Sequence, residues 1–269
     1  MATAGQMRHA PRKRFGQHFL VDASVISAIV AAIAARPGDR VVEIGPGLGA
    51  LTRPLADQLD HLHVIEIDRD ITARLRREFP AEHLTVHEGD ALDFDFSALG
   101  APLRVVGNLP YNISTPLLFR LAAHAAVLRD IHVMLQKEVV ERIVSAPSRA
   151  EYGRLSVMLQ YRFEMERLFD VPASAFRPAP RIESAVVRMT PFSRLPHPAR
   201  DVDCLEKVVA AAFAQRRKTL RNALRHYFSG AELERLGIDP GLRAQDLPVA
   251  DFVRLADEAQ RALSRPCAG

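Results

Sequence analysis

The 269-residue chain lacks the sequence features of secreted, membrane-embedded and metal-binding proteins. Its two cysteines, Cys204 and Cys267, form no CxxC pair and have no histidine cluster beside them, which argues against a disulfide framework or a zinc site. No apolar run approaches the roughly 18 residues of a membrane helix, and the first residues lack the apolar stretch of a signal peptide. We therefore expect a cytoplasmic protein with no bound metal and no membrane partner.

Positive charge is concentrated in two clusters, although the net charge of the whole chain is only +4. The first cluster, the basic arm, comprises Arg8, Arg12, Lys13 and Arg14, and the second, the basic cluster, comprises Arg216, Arg217, Lys218, Arg221 and Arg225. Either cluster could be a solvated surface. The basic cluster contains no acid and falls in a predicted helix over residues 205–227, whose apolar stripe can pack while its arginines face a phosphate backbone.

Strands and helices alternate through the first two-thirds of the chain. Strands are predicted at 40–44, 63–67, 84–87, 103–107 and 131–135, with later extended runs at 157–163 and 185–189. Helices are predicted at 22–35, 50–59, 71–79, 116–124 and 138–144. This alternation predicts an α/β fold, a doubly wound parallel sheet with helices on both faces.

The composition changes near residue 195, where Pro191, Pro196 and Pro198 form a linker. Nearly everything after Val202 has a helical pattern. We therefore expect a short basic segment at 1–20, an α/β domain at 21–195 and a small all-helical domain at 196–269.

A glycine-rich turn follows the first of the predicted parallel strands. Gly45, Gly47 and Gly49 lie between this strand and a helix, where missing side chains let a ligand approach the backbone. The pattern is G-x-G-x-G with Pro46 inside it, not the G-x-G-x-x-G of dinucleotide oxidoreductases. The turn therefore indicates a nucleotide site and disfavours a dehydrogenase.

Acidic residues follow the next two strands. Glu66 comes about 20 residues after Gly45, the offset at which an acid accepts the hydroxyls of a ribose, while Asp68 can cap the following helix. Asp90 follows the third strand and is suited to the amino group of an adenine. Two acids suit a ligand with hydroxyls, an adenine and a positive charge, and S-adenosylmethionine has all three.

The fourth strand ends in Asn108, Leu109, Pro110 and Tyr111. An Asn side chain offers an acceptor and a donor, Pro110 fixes the backbone, and Tyr111 offers a flat face. Taken alone, the segment could be an ordinary strand exit whose tyrosine caps a core. Beside a methyl donor, it becomes the site for a planar, amine-bearing ring.

The chain resembles the small-subunit ribosomal RNA adenine dimethyltransferase family (KsgA type), within the Rossmann-fold methyltransferases. The resemblance spans nearly the whole chain and includes RFGQHFL at 14–20, EIGPGLG at 43–49, Glu66, Asp90, NLPY at 108–111, FRPAPRIESAVV at 176–187 and FAQRRKTLRN at 213–222. It implies a methyltransferase domain at 21–195 and an RNA-binding domain at 196–269, with the cofactor motif beginning before residue 20.

The resemblance also implies roles for particular residues. Cofactor contacts fall on Gln17, His18, Leu20, Gly45, Glu66, Asp90 and Asn108. Many relatives carry Asn where this chain has His18. The catalytic set is Asn108, Leu109, Pro110, Tyr111 and Phe176, and the RNA contacts are Arg12, Lys13, Arg14 and the basic cluster. From the residues alone, Phe176 between prolines is better explained as a core or loop anchor.

The expected substrate is two adjacent adenosines in a hairpin loop near the 3′ end of small-subunit ribosomal RNA. The Asn108 side-chain oxygen and the Leu109 carbonyl would accept the two N6 hydrogens, while Tyr111 and Phe176 stack on the two faces of the base. Each adenosine would become N6,N6-dimethyladenosine. The resemblance further implies an assembling small ribosomal subunit as partner, and we expect a monomer.

Two alternatives remain open at this point. One is a methyltransferase that acts on a large-subunit adenine and confers antibiotic resistance, which the basic cluster disfavours. The other is a non-catalytic nucleic-acid-binding protein that keeps the fold, which the intact set of strand-end residues disfavours.

Overall fold

The computed structural model describes residues 18–263, with the side chain of the last residue left out. Three groups of predicted residues lie outside this range. They are the basic arm, the cofactor candidate Gln17 and the cysteine Cys267. Among residues 18–263, no helix combines the length and the apolar character needed to cross a membrane.

Nine strands and ten α-helices follow one another in the described chain. The strands are β1 (Phe19–Leu20), β2 (Arg40–Ile44), β3 (Leu62–Glu66), β4 (Leu84–Glu88), β5 (Leu103–Asn108), β6 (Leu128–Gln136), β7 (Phe163–Val171), β8 (Phe176–Arg177) and β9 (Ser184–Pro191). The helices are α1 (Ala23–Ile33), α2 (Thr52–Ala56), α3 (Arg69–Glu78), α4 (Ser114–Ala123), α5 (Lys137–Val144), α6 (Arg154–Gln160), α7 (Val202–Phe213), α8 (Leu220–Ala223), α9 (Gly230–Arg235) and α10 (Val249–Leu263).

Seven strands form one sheet in the order β4-β3-β2-β5-β6-β9-β7. The pairs β2–β3, β3–β4, β2–β5 and β5–β6 are parallel, as predicted. From β2 the chain runs outward through β3 and β4, then returns to β5 on the other side of β2. Strand order therefore reverses between β2 and β5, which is where open α/β sheets bind ligands. The predicted α/β fold class is confirmed.

The chain divides into two compact units. One unit contains residues up to Lys137 together with Leu168–Arg188, and the other contains Glu138–Arg167 and the chain from Met189 onward. Residues 138–167 group with the C-terminal residues partly because the Ser148 N–H donates to the Gln245 carbonyl over 2.8 Å. This grouping does not follow the predicted boundary near residue 195, and the division of catalysis and RNA binding between two domains stays a prediction.

The extended run predicted at 157–163 is wrong for most of its length. Residues up to Gln160 belong to helix α6, and the strand begins at Phe163. A short, fully buried apolar run has no periodicity that separates strand from helix. The overlooked signal was the helix start, where the Ser156 hydroxyl accepts the Gly153 N–H over 3.0 Å.

The single helix predicted at 205–227 is also wrong. Helix α7 ends at Phe213, and only the four residues of α8 are helical in the rest of the span. Thr219 instead forms a β-bridge with Arg243, and the Leu220 N–H donates to the Leu242 carbonyl over 2.7 Å. Because these backbone hydrogen bonds go to residues far along the chain, the helix does not continue through this stretch. Most of the basic cluster therefore lies on an exposed turn rather than on a helix face.

Strand β5 begins at a buried ionic cluster. Arg104, its second residue, donates to Asp39 and Asp130 at 2.9 Å each and to the Ile33 carbonyl at 2.6 Å. Burial by itself raises the pKa of both carboxyls, but their hydrogen bonds and the guanidinium charge lower it overall. A buried arginine with this many partners is stabilising only while all of them remain.

The other end of β5 is packed directly against β2. A Cβ atom added to Gly107 would lie 2.4 Å from the carbonyl oxygen of Ile44, closer than any real side chain approaches backbone. Only glycine fits here, because the obstacle is backbone of the neighbouring strand and cannot rotate away.

We predict that Gly107→Ala lowers the free energy of unfolding by about 3 kcal/mol, since the two strands must separate to admit the methyl group. Gly89→Ala is the matched control, because a Cβ at Gly89 meets nothing within 4 Å. Urea unfolding of both variants measures the difference. Equal stability of the two would show that the β2–β5 contact does not need glycine.

Candidate active site

One cavity of about 240 Å³ lies at the carboxyl ends of the parallel strands. It brings together the residues that follow β2, β3, β4 and β5. The predicted site residues that line it are His18, Leu20, Gly45, Glu66, Asp90, Asn108, Leu109, Pro110 and Tyr111. The residues at these strand ends therefore share one concave site.

The glycine turn after β2 forms one wall of the cavity. Gly45 and Gly47 have φ angles of +67° and +53°, which side chains of L-residues rarely adopt. A Cβ on Gly47 would lie 3.2 Å from the Phe19 ring. The Gly45 N–H donates to the Ile65 carbonyl over 2.9 Å and ties the turn to β3.

Glu66 is buried at the end of β3, with 7% of its surface exposed. Its carboxylate accepts the Asp68 N–H over 2.9 Å and also the backbone N–H groups of Gly47 and Ile67. Burial raises the pKa of Glu66, and these N–H groups oppose the rise. Asp68 accepts the Asp70 N–H over 3.0 Å and caps α3. The capping role therefore falls to Asp68 and leaves Glu66 in the cavity wall.

Asp90 and Ile67 continue the wall beyond β3 and β4. Asp90 accepts the Leu92 N–H over 2.9 Å, which orients its carboxylate within the turn. Ile67 is 45% exposed and lines the cavity. Sequence reasoning missed Ile67 because an apolar residue there was assigned to the strand. Its position directly after Glu66 was the available signal.

Like Ile67, Glu43 lines the cavity although no role was predicted for it. It is the only acid of the glycine-turn motif, and its side chain is almost fully buried. The Thr52 hydroxyl donates to it over 2.6 Å. Burial raises the pKa of Glu43 to about 7, with the charge of Glu66 adding to the rise and the Thr52 hydrogen bond opposing it.

The acceptor loop, residues 108–111, is held by bonds from distant segments. The Asn108 side-chain N–H donates to the His18 carbonyl over 3.2 Å, so the side-chain oxygen on the other branch of the amide is directed away from that carbonyl. The Leu109 N–H donates to the Met134 carbonyl over 3.1 Å. The Asn108 side chain and the Asn108–Leu109 peptide unit are therefore fixed in direction.

Tyr111 presents its ring at the cavity. Its hydroxyl is 2.7 Å from the Ser184 hydroxyl, and its ring is stacked near His18 with centroids 5.8 Å apart. The His18 Nδ1–H in turn donates to the Pro178 carbonyl over 2.8 Å. Burial raises the pKa of the Tyr111 phenol, so the ring is neutral at physiological pH.

Phe176 is not where the stacking prediction requires it. Its side chain is fully buried in the hydrophobic core and is absent from the cavity lining. It pairs with Leu20 through the β1–β8 ladder, one layer behind the wall of the cavity. The expected second stacking face is therefore missing from this arrangement, and the core-anchor interpretation describes the observed position.

All five residues of the basic cluster are exposed. Arg216 donates to the Ala150 carbonyl, which holds one side of the turn in place. The remaining side chains extend from a short stretch of backbone that contains no acid. The arm residues Arg12, Lys13 and Arg14 lie outside the described range.

A parallel sheet with a glycine turn after β2 and acids at the ends of β3 and β4 forms a Rossmann-like nucleotide site, the type of site that Rossmann-like methyltransferases have. The family model for ribosomal RNA adenine dimethylase matches residues 8–261. The chain belongs to the ribosomal RNA adenine dimethylase family.

Similar proteins agree with this membership. Ribosomal RNA small subunit methyltransferase A of Aromatoleum aromaticum is 62% identical over 249 residues, covering 93% of this chain and 94% of that protein. The protein of the same name from Chromobacterium violaceum is 62% identical over 251 residues, covering 93% and 96%.

Two solved structures share the fold over most of the chain. A dimethyladenosine transferase from Plasmodium falciparum has a TM-score of 0.75 at 25% identity and covers 88% of this chain and 96% of its own. The 23S ribosomal RNA methyltransferase ErmE has a TM-score of 0.70 at 25% identity and covers 90% and 99%.

We predict that stability depends on pH through Glu43. Because the pKa of folded Glu43 is raised to about 7, its contribution to stability is fully present below the unfolded pKa and is lost as pH rises through about 7. The melting temperature of the wild type should therefore fall by a few degrees relative to Glu43→Gln between about pH 5.5 and about pH 8.5. The difference between the two profiles isolates the contribution of Glu43. Parallel melting profiles would contradict the assignment.

Proposed function

We propose that this protein transfers methyl groups from S-adenosylmethionine to N6 of two adjacent adenosines in a hairpin loop near the 3′ end of small-subunit ribosomal RNA. The product is N6,N6-dimethyladenosine at both positions. The observation that carries the proposal is that Asn108 and Leu109 line the same cavity as the glycine turn, Glu66 and Asp90. Family membership and the names of the 62%-identical relatives support the choice of ribosomal RNA.

The cavity residues fit S-adenosylmethionine. Glu66 is a buried carboxylate aligned by backbone N–H groups and suits the ribose hydroxyls, while Asp90 suits the adenine amino group. Ile67 supplies an apolar surface for the adenine face. When bound, the cofactor supplies an electron-poor methyl group. The glycine turn lets it approach the backbone.

The acceptor loop would activate the target amine by position and charge. Adenine N6 is a weak nucleophile because its lone pair is delocalised into the ring. The Asn108 side-chain oxygen and the Leu109 carbonyl oxygen would accept the two N6 hydrogens and favour a pyramidal amine, with its lone pair directed into the cavity. The same oxygens stabilise the positive charge that develops on N6, and the surplus proton leaves to water.

Tyr111 would stack on one face of a flipped-out adenine. Its ring borders the cavity beside Asn108, and its neutral phenol offers a flat π surface at any physiological pH. Recognition of a single-stranded or loop adenosine follows, because a base must leave its stack to reach this ring.

The basic residues would bind the substrate in its cellular form. A cytoplasmic monomer would bind the assembling small ribosomal subunit through the basic cluster and the basic arm. The exposure of the cluster on a turn without acids supports phosphate binding.

We predict that Asn108→Ala reduces methyl transfer at least about 100-fold while RNA affinity changes little, because the variant lacks the oxygen that orients the amine. Unmethylated small subunits incubated with labelled S-adenosylmethionine provide the assay, and mapping identifies the modified bases. Transfer at a near-normal rate would overturn the mechanism. Label on large-subunit RNA instead would favour the resistance-type activity, and no cofactor binding in calorimetry would favour a non-catalytic protein.

We predict that Arg217→Glu combined with Arg221→Glu weakens RNA binding and flattens its salt dependence, because fewer counterions are released from phosphates. Arg77→Glu with Arg194→Glu is the matched control, since both residues are exposed and the net charge changes equally. Filter binding across salt concentrations measures the slopes. Identical slopes in the two double variants would assign the effect to total charge rather than to the basic cluster.

A further inference from the structure

We propose that Ser184 is a positioning residue for methyl transfer, because its hydroxyl holds the Tyr111 ring at the angle that the target adenine needs. This inference rests on the proposed function and names a residue outside the cavity lining. Ser184 is the first residue of β9 and lies 73 positions after Tyr111 in the chain.

The contact between the two hydroxyls is short and protected from water. Their oxygens are 2.7 Å apart, and Ser184 has no exposed surface. A serine hydroxyl buried without a partner is destabilising, so the bond to the Tyr111 hydroxyl is favoured. The phenol oxygen is thereby fixed at the far end of the ring from its backbone.

Ser184 is itself held in place by its preceding residue. The Lys137 N–H donates to the Glu183 carbonyl over 3.0 Å, and Lys137 Nζ contacts the Glu183 carboxylate at 2.7 Å. Lys137 Nζ also contacts Asp170 at 3.2 Å. The start of β9 is therefore bound to the residue that follows β6, and Ser184 can act as a fixed point.

Tyr111 has a second restraint at its backbone. The Ser114 hydroxyl donates to the Tyr111 carbonyl over 3.0 Å. With the backbone held by Ser114 and the phenol held by Ser184, the long axis of the ring is defined from both ends. The His18 ring, stacked near it at an interplanar angle of 24°, restrains rotation about that axis. An adenine stacked on this ring takes its plane from it, and that plane sets the distance from N6 to the Asn108 oxygen.

The role of Ser184 is geometric rather than acid–base. Burial raises the pKa of Tyr111, so neither hydroxyl ionises in the physiological range. Loss of the bond should therefore lower the rate without altering the pH profile. A misplacement of about 1 Å at a reacting centre reduces rates by up to about 100-fold, and a loosened ring should cost about tenfold.

The experiment is a double-mutant cycle on methyl transfer to unmethylated small subunits. Ser184→Ala and Tyr111→Phe each remove one hydroxyl of the same bond, and Tyr111→Phe keeps the aromatic face. We expect each single variant to lower kcat about tenfold, with unchanged affinity for S-adenosylmethionine and an unchanged pH profile. The double variant should be no slower than Tyr111→Phe alone, because the bond is already lost.

Ser156→Ala is the matched control, since Ser156 is equally buried and donates to the Arg142 carbonyl over 2.6 Å. It should lower the melting temperature without the tenfold loss of kcat. Should Ser184→Ala fail to fold, Tyr111→Phe still tests the bond. Normal kcat in either single variant, or losses that multiply in the double variant, would overturn the inference. Failure of the proposed function would look different, because the wild type itself would not methylate the RNA.

Discussion

The structure depends on one backbone contact, the approach of β5 to β2 at Gly107 and Ile44. With 2.4 Å between a notional Cβ and the Ile44 oxygen, the two strands leave no room for a side chain at this position. The loops that leave them are consequently in contact. A Cβ on Gly45 would be 3.7 Å from the Asn108 carbonyl oxygen and from Pro110. The glycine turn, which suits a cofactor, therefore lies against the acceptor loop. Because strand order reverses between β2 and β5, both loops lie at the cavity.

The two ends of strand β5 have different roles, one in stability and one in the site. Arg104, near its buried start, donates hydrogen bonds to two carboxylates and a backbone carbonyl. Its last residue, Asn108, keeps an oxygen directed away from its one structural partner. A fully paired ionic cluster rigidifies the strand, while a partly paired amide remains available to a ligand. Because the Arg104 end of the strand is rigid, Asn108 at the other end is held in a defined position.

Much of the sheet and the cavity could be predicted from sequence because both depend on local patterns. Apolar runs identified β2 to β6, and parallel connectivity then placed Gly45, Glu66, Asp90 and Asn108 at one edge. The failures have different causes. The helix at 205–227 is interrupted by pairing of Thr219 with Arg243, a non-local contact that no window of sequence contains. The run at 157–163 had no periodicity to separate helix from strand. Phe176 was assigned to the site by resemblance, and the structure places it in the core, as the residues alone had favoured.

The acceptor loop shows why a motif alone does not define a site. Three bonds that orient it come from far along the chain: Asn108 is held by the His18 carbonyl, Leu109 by the Met134 carbonyl and Tyr111 by the Ser184 hydroxyl. The bond from Ser114 to the Tyr111 carbonyl is local. The four-residue motif supplies the chemical groups, whereas their directions come from contacts with His18 just before β1, with Met134 in β6 and with Ser184 in β9. A chain that retained the motif but altered one of these segments would keep the right atoms and lose the geometry that makes an adenine amine reactive.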